Sequence, residues 1–151
     1  MTTPVHVRRA TVEDVALAAP LFAAYREFYR LPYDERAAAA FLHDRLQAEE
    51  SVVLLAETAD GTVGFLQLYP GFESLALAPA WVLNDLYVAP AARGSGVAAA
   101  LMERAEEVAR AAGAAFLALE TAHDNHVAQR LYERQGWQVE DAYRTYVKPL
   151  R

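Results

Sequence analysis

The chain has 151 residues, 54% hydrophobic and 23% charged, which suits one globular domain with a sizeable core and excludes a disordered chain. It has no cysteine, so disulfides, cysteine nucleophiles and Cys-based metal sites are excluded, and a reducing cytoplasm fits. The net charge of −6 disfavours a nucleic-acid backbone as partner and steers in a cationic small molecule.

The opening "MTTPVHVRRATVEDV" has no apolar leader core, and residues 5–10 read as a first strand. Residues 11–30 read as a helix, with Thr11 as N-cap and acids in the first turn. "LPYD" breaks it, and Asp34 caps a second helix over 35–50. "SVVLLAE" (51–57) and "TVGFLQLYP" (62–70) are apolar, β-rich runs joined by "TADG", a hairpin pattern. Residues 71–80 read as irregular. "WVLNDLYV" (81–88) is almost continuously apolar, as a central strand is. Val97, Leu101, Ala105, Val108 and Ala112 recur at helical spacing, giving a helix over 94–112 that Gly113 ends. "AAFLALET" (114–121) is a strand, residues 124–135 a helix closed by Gly136, and 137–150 one or two final strands. The order predicts a mixed α/β sheet with helices on both faces. No apolar run reaches the roughly 18–20 residues that cross a bilayer. The four histidines are scattered and no carboxylate cluster stands out, so no metal site is expected.

The most informative stretch is "APAARGSGVAAALMERAEEVARAAG" (89–113). It joins a central strand to a helix start, where backbone N–H groups lack internal partners and carry partial positive charge. Gly94 and Gly96 let an anion approach the backbone closely, Ser95 adds a hydroxyl, and Ala98 keeps the next turn slim. Arg93 is a cation suited to phosphate. Together they read as a pyrophosphate cradle; the plain alternative is a solvated glycine-rich helix start. No lysine follows Gly96, so this is not a P-loop. Ala99 occupies the third glycine position of a dinucleotide fingerprint, which excludes that too.

What remains is R-x-x-G-x-A over Arg93, Gly94, Ser95, Gly96, Val97 and Ala98. It resembles the acetyl-CoA signature of the GNAT superfamily of N-acetyltransferases. The preceding "LYVAPAARGSGVA" (86–98) and "NHVAQRLYERQGW" (125–137) resemble two of that family's motifs. In the second, Asn125, Ala128, Leu131, Tyr132, Gly136 and Trp137 are in register. The resemblance covers nearly the whole chain and is strongest over 81–147. It is closest to a bacterial branch similar to yeast histone acetyltransferases, and also to the diamine acetyltransferases.

The resemblance implies a single GNAT domain over 1–151, with a mostly antiparallel sheet and one parallel, splayed strand pair. It implies acetyl-CoA as co-substrate, its thioester arm lying between strands 81–88 and 115–121 against Leu86, Tyr87 and Val88. Tyr132 matches the family's general acid. Asn125, Ala128 and Tyr132 share one helical face, which the resemblance sets along the co-substrate. Asn125 also suits a helix cap, and Tyr132 a packed tyrosine. The diamine enzymes carry a glutamate where Asn84 stands, and asparagine takes no proton. Asp85 and Glu120 are the remaining candidate bases. His123 and His126 read as cap or surface residues. The acceptor pocket implied by the resemblance draws on Tyr25, Tyr29, Tyr33, Asp34, Tyr69 and Glu73, with Asp85 and Glu120. Aromatics and acids together suit an ammonium group; the alternative is a packed aromatic helix face. The expected activity is acetyl transfer to a primary amine on a small cationic molecule, against protein lysine or N-terminal acetylation or acyl-CoA binding without catalysis. A homodimer through the C-terminal strands is implied by the same resemblance.

Overall fold

The computed structural model describes residues 4–151, so the first three residues of the stretch read for a leader lie outside it. The chain divides into two compact units, one up to Glu120 and one over Thr121–Arg151.

The first unit is built on a five-stranded sheet: β1 (His6–Arg9), β2 (Val52–Thr58), β3 (Gly61–Tyr69), β6 (Trp81–Val88) and β7 (Leu117–Ala118), in that spatial order. The first four run antiparallel to their neighbours, and β7 is parallel to β6. Parallel neighbours need a crossover, supplied here by α3 (Val97–Ala111). A short turn at Val12–Asp14 leads into α1 (Val15–Phe28), and α2 (Glu35–Gln47) follows. Asp34 caps α2 as the sequence predicts, whereas Thr11 heads the short turn and Asp14 stands at the start of α1. Asp14 accepts the Thr11 backbone N–H at 2.8 Å, and Asp34 Oδ1 accepts that of Ala37 at 2.9 Å.

Helices cover both faces of the sheet. Phe65 of β3 is fully buried among Leu21, Phe22, Leu42, Val53 and Leu55, on the side of α1 and α2. Its neighbour Gly64 points the opposite way, because successive strand residues alternate between faces. A Cβ at Gly64 would stand 2.9 Å from Leu101 Cδ1 and 2.9 Å from Val97 Cγ1, so α3 packs on the other face. Cover on both faces explains why Val52–Ala56 of β2 are buried without alternation.

Three predicted elements differ. Residues 71–80, read as irregular, include a two-stranded ribbon of β4 (Phe72–Glu73) and β5 (Ala78–Pro79). The strand predicted over 114–121 shrinks to the two residues of β7. In the second unit, α4 (His126–Arg134) forms where predicted, but residues 138–151 make no strand. Strand propensity is realised only against a partner, and the sequence of a segment does not state whether it has one.

Candidate active site

The β3–β6 ladder carries the feature that organises the site. Gln67 pairs with Asp85, but the next pair is Leu68 with Leu83, so Asn84 is an extra residue with no cross-strand partner. Such a bulge bends the strand and re-aims its side chains. It also leaves the Asn84 carbonyl available to the Tyr25 hydroxyl, which donates to it at 3.4 Å.

Asp85 lies beside the bulge and is 6% exposed. Gln67 Nε2 donates to its Oδ2 at 2.9 Å, and Asn84 Nδ2 to its Oδ1 at 3.2 Å. Burial raises the Asp85 carboxyl above the ordinary carboxylate range, opposed by hydrogen bonds from Gln67, Asn84 and Tyr25. Aromatic hydroxyls surround it. Burial and the Asp85 charge raise Tyr25 well above the usual tyrosine value, and together they push Tyr69 up to about 12, so both stay protonated at neutral pH. Tyr25 meets Tyr29 edge-on at 5.1 Å and Tyr87 at 6.4 Å between centroids. A carboxylate ringed by aromatics receives an ammonium group through charge pairing and cation–π contact.

The structure places the other expected residues as follows. Asp34 is engaged as the α2 cap, and Tyr33 stands exposed beside Glu35 at 3.5 Å. Glu73 lies on β4, its carboxylate accepting the Leu75 N–H at 3.1 Å. Glu120 is exposed two residues beyond β7. Tyr25, Tyr29, Tyr69 and Asp85 are the residues brought together. Gln67, fully buried, was not anticipated: only the pairing of β3 with β6 sets it against Asp85. Its Oε1 is buried with no hydrogen-bond partner, an arrangement that costs about 1–3 kcal/mol.

The β6–β7 pair opens after two residues. Trp81 pairs with Leu117 and Val82 with Ala118, and there β7 ends. β6 continues to Val88 alongside β3. The edge of Leu83–Val88 that faces away from β3, including Leu86, Tyr87 and Val88, therefore has no strand beside it among the described residues. Free strand edges pair with amide groups of an extended ligand.

Beyond β6, Gly94 and Gly96 have φ of +80° and +84°, a conformation glycine adopts without strain, and a Cβ at either would meet nothing within 4 Å. The loop thus leaves open space in front of the first turn of α3, where Val97 is buried and Ala98 half-buried. Ser95 Oγ donates to the Ala92 carbonyl at 2.5 Å. Arg93 Nε donates to the Val88 carbonyl at 2.9 Å, and its guanidinium lies 5.4 Å from the Tyr87 ring centre. An open cradle at a helix N-terminus with a tethered arginine fits a pyrophosphate.

In the second unit, Asn125 caps α4: its Oδ1 accepts the Ala128 N–H at 3.3 Å. Tyr132 lies one turn above Ala128, its ring 6.3 Å from Trp137. His126 opens α4, and His123 precedes it. No cluster of His, Asp and Glu suited to a metal ion occurs among the described residues, nor a helix long and apolar enough to cross a membrane.

Comparison with known proteins shows the family and the fold. Residues 18–137 match the Acetyltransferase (GNAT) family. The chain is 43% identical over 141 residues to YhfO of Bacillus subtilis, described as an uncharacterized N-acetyltransferase, covering 93% of this chain and 95% of that protein. The crystal structure of a probable acetyltransferase superposes with a TM-score of 0.91 at 40% identity, over 97% of this chain and 98% of the other. A ribosomal-protein-alanine N-acetyltransferase from Brucella melitensis shares the fold, with a TM-score of 0.81 at 23% identity over 98% of this chain and 100% of the other.

Proposed function

The chain belongs to the GNAT family of acetyltransferases, and on that premise we propose that it moves an acetyl group from acetyl-CoA to a primary amine on a small cationic molecule. The observation that carries the amine reading is the buried Asp85 carboxylate beside Tyr25 and Tyr69, with Tyr87 against Tyr25.

Acetyl-CoA supplies the thioester whose acyl carbon the amine attacks. Gly94, Ser95, Gly96 and the first turn of α3, from Val97 and Ala98, hold the pyrophosphate with Arg93. The open edge of β6 at Leu86, Tyr87 and Val88 pairs with the amides of the pantetheine arm. Asn125 and Ala128 are assigned to the co-substrate by their match to the family motif alone. A free amine is mostly protonated at neutral pH and inert until a base removes a proton. Asp85 is the base: its raised carboxyl lies nearer the operating pH than an ordinary aspartate. Tyr132 protonates the departing thiolate. Tyr29 borders the acceptor side; Asp34, Glu73 and Glu120 are further acidic candidates for meeting the cationic substrate, with Asp34 and Glu73 also accepting local backbone N–H groups.

Residues 1–151 act as one catalytic domain, in the cytoplasm, without metal or nucleic acid, and two copies associate through the C-terminal residues. Acetylation of a protein lysine or N-terminus is the second reading. The buried position of Asp85 favours a slim free amine over a chain lying in an open groove.

The test is a thermal shift with acetyl-CoA, CoA and ATP on wild type and Gly96→Glu, then CoA release over a panel of polyamines, amino acids, aminoglycosides and peptides. Stabilisation by the CoA species alone, lost in Gly96→Glu, is expected, with turnover greatest on a free cationic amine. No response to CoA removes the cradle; higher turnover on peptides moves the acceptor to the second reading.

A further inference from the structure

Gln67 is a polar residue in an apolar place. It sits inside β3 between the fully buried Leu66 and Leu68 and is itself fully buried. A leucine or methionine would fill the same space and leave no amide unpaired. Instead its Nε2 donates to Asp85 Oδ2 at 2.9 Å, and its Oε1 has no partner. The pairing is fixed by the backbone, since Gln67 and Asp85 are directly opposed across the ladder, next to the bulge at Asn84.

We propose that Gln67 is the positioning residue of the base, its amide holding the Asp85 carboxylate before proton transfer and the carboxylic acid after it. The inference rests on the reading of Asp85 as the base. In the ionised state the amide N–H donates to Oδ2, as observed. When the ammonium N–H bond breaks and the proton settles on Asp85, the carboxyl gains an O–H donor and needs an acceptor. An amide carries donor and acceptor at one end of a side chain, and its last torsion is broad and two-fold. A half-turn of Gln67 brings the unpaired Oε1 to that O–H. Asn84, donating to the other carboxylate oxygen, keeps the carboxyl in place meanwhile. No electrons move beyond the proton transfer.

The titratable and charged groups around Asp85 are Tyr25 of α1 with Tyr29 behind it, Tyr69 of β3, and Arg45 of α2, which acts on Tyr69. The tyrosines are neutral across the working range. The acid side of the pH–rate profile therefore reports Asp85, and its position reports the donor from Gln67.

The experiment is the pH dependence of kcat/KM for Gln67→Met, which keeps the volume and removes the N–H. Losing a donor to the carboxylate raises the Asp85 pKa, so the acid limb moves to higher pH, by about one unit, the scale of one charge-assisted hydrogen bond. The KM for acetyl-CoA stays put. A glutamine that only fills space would lower the rate equally at all pH values and leave the limb where it was, which overturns the proposal. Gln67→Leu serves if Gln67→Met fails to fold: it too removes the N–H without adding charge, and moves the limb the same way. A ¹³C titration of the Asp85 carboxyl in the free protein gives a readout without turnover, and an unmoved pKa in the variant is equally fatal. Asp85→Asn separates the two ideas. Activity lost there with an unmoved limb in Gln67→Met defeats the positioning role alone. Full activity in Asp85→Asn defeats the base assignment, and the inference that rests on it.

Discussion

Two proton transfers frame the proposed reaction, and different residues carry them. In that proposal Asp85, whose carboxyl burial raises, takes a proton from the amine, and Tyr132, on α4, gives one to sulfur. A general acid of this kind contributes roughly 10²–10⁴ in rate. Tyr132→Phe keeps the ring and its 6.3 Å approach to Trp137, so we expect kcat to fall at least 10²-fold with little change in acetyl-CoA binding. Steady-state kinetics beside a binding isotherm decide it; an unchanged kcat takes the tyrosine out of the chemistry. Residues such as Tyr132, Gly94 and Gly96 could be singled out in the sequence because the patterns that mark them are local: a spacing on one helix, a loop before a helix start. Gln67 was illegible for the converse reason. Its role comes from a partner eighteen positions away, and that pairing depends on a one-residue bulge that no local pattern marks.

At the scale of elements, the seat of α3 decides where the cradle stands. Its first buried residue, Val97, and Leu101 one turn on both press on Gly64 of β3, and Ala56 of β2 closes the third side at 3.1 Å from where a Cβ would be. Glycine here serves close approach. Gly64→Ala forces the helix outward and costs about 1–3 kcal/mol as overpacking. Because Val97 is the residue displaced, the first turn of α3 moves with it and acetyl-CoA affinity drops several-fold. Chemical denaturation and a CoA titration on the same variant check both parts; a stability loss with unaltered affinity would detach the helix seat from the cradle. The hairpin of β2 and β3, the central β6 and all four helices were readable from periodicity and caps. The extents of β7 and of the C-terminal segment were not. β7 stops after Ala118 because its neighbour pairs with it for two residues only, a property of the pair and not of "AAFLALET".

For the whole molecule, the C-terminal residues present an uncovered apolar segment. Val139, Tyr143, Tyr146, Val147 and Leu150 are between 82% and 91% exposed, on a segment that forms no strand. Apolar side chains gathered on one exposed segment mark an interaction surface. The charge of that segment fits the proposed pairing with a second copy of the chain. Over 138–151, Arg144, Lys148 and Arg151 outnumber Glu140 and Asp141, a balance of +1 that leaves −7 for the rest of a chain carrying −6. A segment both basic and apolar is attracted to an acidic body like its own, whereas two such bodies meeting elsewhere repel. Sedimentation velocity is expected to give a dimer at micromolar concentration, and Tyr146→Glu with Val147→Glu a monomer with its helical content intact. Because the segment is only partly apolar, raising the salt should weaken the dimer without abolishing it, screening the charge term and leaving the burial term. A wild type that sediments as a monomer throughout the range ends the dimer reading. It would leave the side-chain cluster around Asp85 untouched, since that cluster is assembled wholly from α1, β3 and β6 of one chain.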